Sequence, residues 1–220
     1  MSDVMRIIQT LVGPMEVFSY LVFDEGSREG ILIDPAGDEE RLMGLLKEHG
    51  VNLLYIVNTH GHADHTCGNG ILKRETGALL VMHELDDAFF RMPECQAWAR
   101  AMGFDPSPPA DLRVRDGDEL TFGGHTMRFL HTPGHSPGAC CIWIEGNLFT
   151  GDTLFVGAVG RTDLPGSSFE QLLESLKKKI LPLPPDTVVW PGHDYGDHPR
   201  STLKDEMENN PYITDFLTDD

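Results

Sequence analysis

Four residues able to hold a metal ion stand within six positions, in His60-Gly61-His62-Ala63-Asp64-His65. Side chains at i and i+2 of an extended backbone point the same way, so His60 and His62 can share one ion. Asp64 and His65 lie past the strand end and can turn toward a second point. Three further segments each set one candidate ligand on a glycine-containing turn: Thr132-Pro133-Gly134-His135, Thr150-Gly151-Asp152 and Pro191-Gly192-His193. Together they supply five imidazoles and two carboxylates. Donors of this type, with no thiolate among them, suit zinc first and then iron or manganese, rather than copper(I) or a sulfur cluster. The natural partition gives His60, His62 and His135 to one divalent ion and Asp64, His65 and His193 to another. Asp152 and a hydroxide are shared, and coordination stays open as a hydrolytic site requires.

These residues need strands to position them. Val17 to Phe23 and Gly30 to Asp34 read as strands of an N-terminal hairpin. Asp38 is expected to cap a helix carrying Leu42, Leu45 and Leu46, which Gly50 ends. The apolar strand Leu53 to Val57 runs into His60, so the cluster sits at a C-terminal strand end, where α/β sheets build sites. Asn69 to Thr76 reads as helix, Ala78 to Met82 as strand, and Glu84 to Met102 as helix broken at Pro93. Residues 103–111 form a loop. Strands follow at Glu119 to Phe122, His125 to His131, Ala139 to Ile144 and Asn147 to Thr150. A capping box at Ser167-Ser168 with Glu170 and Gln171 starts a helix ending near Ile180, and Val188 to Trp190 is a last strand. The order fits two sheets packed between helices, in one domain spanning 1–220.

Composition narrows the function. With 220 residues, the chain can bury a sizeable core. Lys and Arg total 17 against 35 Asp and Glu, a formal charge of −18, which disfavours nucleic acid as a partner. No apolar run is long enough to span a membrane, and Met1 to Arg6 lacks the layout of a signal peptide, so a cytoplasmic protein is expected. Cys67, Cys95, Cys140 and Cys141 lack C-x-x-C spacing and read as free thiols, with the adjacent pair in sheet core. His49, His83, His125, His131 and His198 read as surface or core histidines, and the acidic end from Asp215 to Asp220 is expected to fray.

The run His60-Gly61-His62-Ala63-Asp64-His65 resembles the H-x-H-x-D-H signature of the metallo-β-lactamase superfamily, and the later candidate ligands match as well. The resemblance implies an αββα sandwich with a dinuclear site at its edge. The common zinc β-lactamases place cysteine where Asp152 stands, so that activity is disfavoured. Gly151-Asp152-Thr153-Leu154-Phe155-Val156 and Gly160-Arg161-Thr162-Asp163 resemble the glyoxalase II group, which hydrolyses thioesters of glutathione or similar thiols. That group has lysine at the position of Arg161 and tyrosine at that of Asp163, both facing glutathione; Tyr195 matches another tyrosine near the substrate. The resemblance therefore implies Arg161 and Tyr195 as substrate-binding residues and Asp64 as both ligand and orienter of the nucleophile. The substrate is a small-molecule thioester, with glutathione derivatives among the candidates. Arg161 has a competing role as ion-pair partner of Asp163. Only 27 residues follow His193, too few for the helical domain with which glyoxalase II holds the glycine carboxylate of glutathione. The Gly-Arg-Thr-Asp turn also resembles the persulfide dioxygenases, which hold one iron at the positions of His60, His135 and Asp152 but carry alanine where Gly192 stands here.

Overall fold

The computed structural model describes residues 4–217. Its first sheet runs β1 (Met5–Val12), β2 (Val17–Asp24), β3 (Glu29–Ile33), β4 (Asn52–Val57), β5 (Leu79–His83) and β6 (Leu112–Val114), in that spatial order. The strands from β3 to β6 are parallel, with α1 (Glu39–His49), α2 (Ala63–Thr66), α3 (Asn69–Thr76), α4 (Glu84–Phe89) and α5 (Pro93–Ala101) in their connections. The second sheet is built from β7 (Glu119–Phe122), β8 (His125–His131), β9 (Cys140–Ile144) and β10 (Asn147–Gly151), followed by β13 (Val188–Pro191) and β14 (Ser201–Thr202). Between β10 and β13 lie a small ribbon, β11 (Leu154–Phe155) with β12 (Ala158–Val159), and α6 (Phe169–Ser175), continued by a π-helical turn at Leu176–Ile180. The chain then adds α7 (Leu203–Asn209) and α8 (Pro211–Thr214).

Three buried clusters define four layers. Phe18, Tyr20 and Val22 of β2 point between the sheets, against Phe129, Ile142 and Phe149 of the second sheet. The alternate residues Val17, Leu21 and Phe23 point outward, against Leu42 and Leu46 of α1 and Leu72 of α3. Opposite them, Cys141 and Leu148 pack under Leu176, Ile180, Leu203 and Ile213. A strand covered on both faces must be apolar throughout, and all eight residues of β2 are buried. The αββα sandwich expected from the signature is the fold observed. Cys140 faces the inner layer and its neighbour Cys141 the outer one, as strand alternation requires.

Several elements differ from the expectations. β1 was not anticipated; it pairs antiparallel with β2 from Met5↔Asp24 to Val12↔Val17, as a half-exposed edge strand with a weak apolar signature. Asp38 stands at the start of α1 in a left-handed conformation with no side-chain cap; its carboxylate instead accepts from the Gly13 N–H at 3.0 Å. Ser168 does cap α6, accepting from the Gln171 N–H at 3.3 Å, and Pro93 opens α5. Of the end expected to fray, Leu217 packs partly against the outer cluster of the second sheet, and residues 218–220 lie outside the described part. No described helix is long and apolar enough to cross a membrane.

Candidate metal centre

The signature lies where the first sheet meets the second. Asp34 follows β3, Thr59 to His62 follow β4 and lead into α2, which carries Asp64 and His65, His135 follows β8, Asp152 follows β10, and His193 follows β13. Two backbone bonds clamp the sheets together here: Cys140 N–H donates to Thr59 O and Phe18 N–H to Gly192 O, each at 2.8 Å. Gly151 takes a left-handed φ of 49°, and a Cβ there would lie 2.2 Å from Thr59 Oγ1, so only glycine makes this turn beside the cluster.

The seven expected residues converge. His60, His62 and His135 form one group and Asp64, His65 and His193 another, each with its ligand atoms mutually within 4.8 Å. Asp152 stands between them, with Oδ2 at 3.5 Å from His135 Nε2 and 3.6 Å from His193 Nε2, and Oδ1 at 3.3 Å from His65 Nε2. The groups of donors fit divalent cations. Metal–nitrogen bonds of roughly 2.0 Å give a tetrahedron edge of about 3.3 Å. The His62–His135 and His65–His193 ring nitrogens are separated by 2.9 Å and 3.3 Å. Buried His60 Nε2 and Asp152 Oδ1 have no hydrogen-bond partner among the described residues, as ligand atoms aimed at a cation would not.

The outer hydrogen bonds set which ring nitrogen faces inward. His135 Nδ1 donates to the carbonyl of Arg161 at 2.8 Å, leaving Nε2 for the centre. Asp34 is a residue that sequence reasoning missed. Its Oδ2 meets His65 Nδ1 at 3.0 Å, and its two oxygens accept from Thr59 N–H at 2.8 Å and Thr59 Oγ1 at 2.6 Å. Thr59 Oγ1 in turn meets His60 Nδ1 at 3.1 Å. Asp34 thus orients His65 directly and His60 through Thr59. Although it lies near both rings, its oxygens are already engaged, which makes it a positioning group. A second missed residue is Asp86 of α4, which accepts from Gly61 N–H at 2.8 Å, Ser136 Oγ at 2.7 Å and Gly138 N–H at 2.5 Å. It ties the His62 loop to the His135 loop. An acid inside a short helix carries no sequence mark of such a task.

Electrostatics sort the histidines. Burial, aided by neighbouring imidazoles, pushes His60 well below the usual range and His62 down to about 3, so both present neutral lone pairs. Burial opposes charge on His65, but Asp152, Asp64 and Asp34 outweigh it and hold its pKa well above the ordinary value. Burial likewise opposes charge on Asp152, yet His65, His135 and His60 hold its carboxyl well below the usual range.

The two expected substrate residues line a cavity of about 180 Å³ over the centre, with His62, Asp64, His135 and His193 at its base. Tyr195 is 65% exposed, and its ring stacks on His193 with centroids 4.8 Å apart. The Arg161 guanidinium forks onto Asp163 at 2.6 and 2.8 Å, which realises its ion-pair role, while its carbonyl orients His135. Of the histidines read as ordinary, His131 stacks on His83 at 4.1 Å and bonds to Pro137 O, away from the centre.

Residues 12–193 match the family described as the metallo-beta-lactamase superfamily. The chain belongs to that superfamily. The family's fold binds divalent metals, and its members are generally enzymes. The human mitochondrial persulfide dioxygenase ETHE1 is 36% identical over 200 residues, covering 90% of this chain and 71% of that protein. The hydroxyacylglutathione hydrolase GloC of Haemophilus influenzae is 34% identical over 198 residues, covering 88% and 91%. A solved structure of TTHA1623 in a di-iron-bound form superposes with a TM-score of 0.80 at 36% identity, covering 93% of this chain and 99% of that one.

Proposed function

We propose that the chain is a dinuclear metal-dependent hydrolase of small thioesters, of the glyoxalase II type. One observation carries this reading: the Asp152 carboxylate faces both groups of candidate ligands, touching His135 on one side and His65 and His193 on the other. A carboxylate so placed could serve two cations, which His60, His62 and His135 on one side and Asp64, His65 and His193 on the other would hold. The similarity to a hydroxyacylglutathione hydrolase over most of both chains, and to a structure with two irons, supports it. Zinc is the first candidate for these donors, with iron and manganese close behind.

A cation pair supplies acidification of water and charge stabilisation for a thioester carbonyl oxygen. The protein residues do the rest. Asp64, 19% exposed at the cavity base, accepts a hydrogen bond from the attacking water and orients it toward the carbonyl carbon. The new C–O bond forms as the carbonyl π pair moves onto oxygen; when that pair returns, the C–S bond breaks, the sulfur leaves with the bonding pair, and both of the water's protons pass to solvent, one on attack and one when the acid ionises. A thiol of pKa about 8.5 leaves readily as thiolate, so no separate general acid is needed. Tyr195 and Arg161, on the cavity rim, contact the thiol carrier.

A second reading, a mononuclear iron persulfide dioxygenase, is favoured by the 36% identity to the human enzyme. Metal analysis of protein purified without added metal, run with two assays, separates the two. The hydrolase reading expects two metals per chain and thiol release from S-lactoylglutathione. One iron per chain with oxygen consumed on glutathione persulfide overturns it. A His62→Ala variant is expected to lose one metal and nearly all hydrolysis.

A further inference from the structure

Beside the metal cavity lies a second hollow of about 330 Å³, within the size range of ligand pockets. Its walls are Phe89, Phe90, Trp98, Leu164 and Pro165. The two spaces adjoin, because His62, Trp98 and Leu164 line both. Phe90 is fixed on the wall of this hollow: its ring meets that of His62 edge-on at 4.9 Å and lies so close to Gly61 that a Cβ there would come within 2.2 Å of it. Trp98 is 47% exposed on α5, a large aromatic surface with little apolar cover of its own. Among the described residues, the one acid on this lining is Glu94, and no Lys or Arg lines it.

We infer that this hollow is an acyl-chain subsite, and that the preferred substrates are thioesters of apolar acyl groups several carbons long. The inference rests on the hydrolase reading above and deepens it. A thioester with its carbonyl at the metal centre must send its acyl and thiol halves in different directions. Thiol carriers of the glutathione or pantetheine kind are chains of amides, and burying amides against Phe89, Phe90, Trp98 and Leu164 leaves their hydrogen bonds unmet. The carrier therefore takes the polar side, by Arg161 and Tyr195, and the acyl chain takes the apolar one. Glu94 disfavours acyl groups ending in a carboxylate. Selectivity comes from area: each methylene removed from water raises kcat/KM about fourfold.

The test uses S-acetyl, S-butanoyl and S-hexanoyl N-acetylcysteamine with the metal-loaded protein. The expected result is a rise in kcat/KM on the order of 100-fold from acetyl to hexanoyl. Trp98→Ala should cut the hexanoyl-to-acetyl ratio about tenfold. An independent readout is the fluorescence change of Trp98 on titration with the S-hexyl thioether of N-acetylcysteamine, absent in Trp98→Phe. Thioesters hydrolysed without dependence on chain length, and no fluorescence response, overturn the subsite while leaving the hydrolase reading intact. A saturable fluorescence response with no thioester hydrolysed keeps the apolar subsite and overturns the hydrolase reading.

Discussion

At the scale of single residues, the centre depends on groups with little room to move. Gly192 shows this most directly: a Cβ there would lie 2.4 Å from Asp152 Oδ1, 2.9 Å from the Gly151 carbonyl carbon and 3.0 Å from a carbon of the His65 ring. Gly192→Ala must displace the carboxylate that faces both groups of candidate ligands. The fold should survive while metal content falls from two per chain toward one, and thioester turnover drops about 100-fold, the usual cost of a misplacement near 1 Å. Metal analysis and a steady-state assay on the same preparation check it; an unchanged metal content would refute the bridging role of Asp152. Arg161 shows how a side chain and its backbone can divide duties. Its guanidinium pairs with Asp163 through Nε and Nη2 while staying exposed on the cavity rim, whereas its carbonyl holds His135.

At the scale of elements, short segments following the ends of β4, β8, β10 and β13 carry the candidate ligands, and helices brace them. α4 contributes Asp86 to the two histidine loops and begins at His83, whose Nδ1 accepts from the Leu85 N–H at 3.3 Å. Burial and the stacked His131 push the His83 imidazole down to about 4. The unfolded chain binds this proton near pH 6.5, so between pH 4 and 6.5 it holds more protons than the folded one. This contribution to stability is therefore complete above pH 6.5 and is lost as pH falls toward 4. His83→Asn keeps a capping acceptor without the titration. Between pH 7 and 4.5 the wild type should lose about 2 kcal/mol more unfolding free energy than this variant, measured by urea titration. Much at this scale was legible from sequence. Ser168 marks a helix start by its own chemistry, and Pro93, read as a break, proves to be the first residue of α5. β1 was not legible, because a half-buried edge strand lacks full alternation. Asp38 misled for a related reason: a helix-start residue was read correctly, but its carboxylate had a better donor in distant Gly13.

At the scale of the whole molecule, the chain carries a formal charge of −18, and the centre gathers acids and imidazoles from both sheets. The two divalent cations of the proposed reading would relieve part of that charge and join the sheets across their shared edge. Ions bound at about 1,000 times their dissociation constant stabilise by about 4 kcal/mol per site. Chelation should thus lower Tm by about 10 °C or more, with recovery when zinc is restored, read by calorimetry. No change in Tm would mean that the seven residues bind no ion tightly.

The local order of residues determined the donor chemistry. His60, His62, Asp64 and His65 announce metal by type and spacing, and the glycine turns before His135, Asp152 and His193 announce strand ends, because backbone conformation there is a short-range matter. The sequence could only expect Asp152 to be shared; the tertiary structure decided that those turns do meet, with Asp152 facing both groups, and that Asp34 and Asp86 serve the site. Those relations join residues 25 to 128 positions apart. They depend on how two sheets pack, a property of the whole core that no local pattern contains.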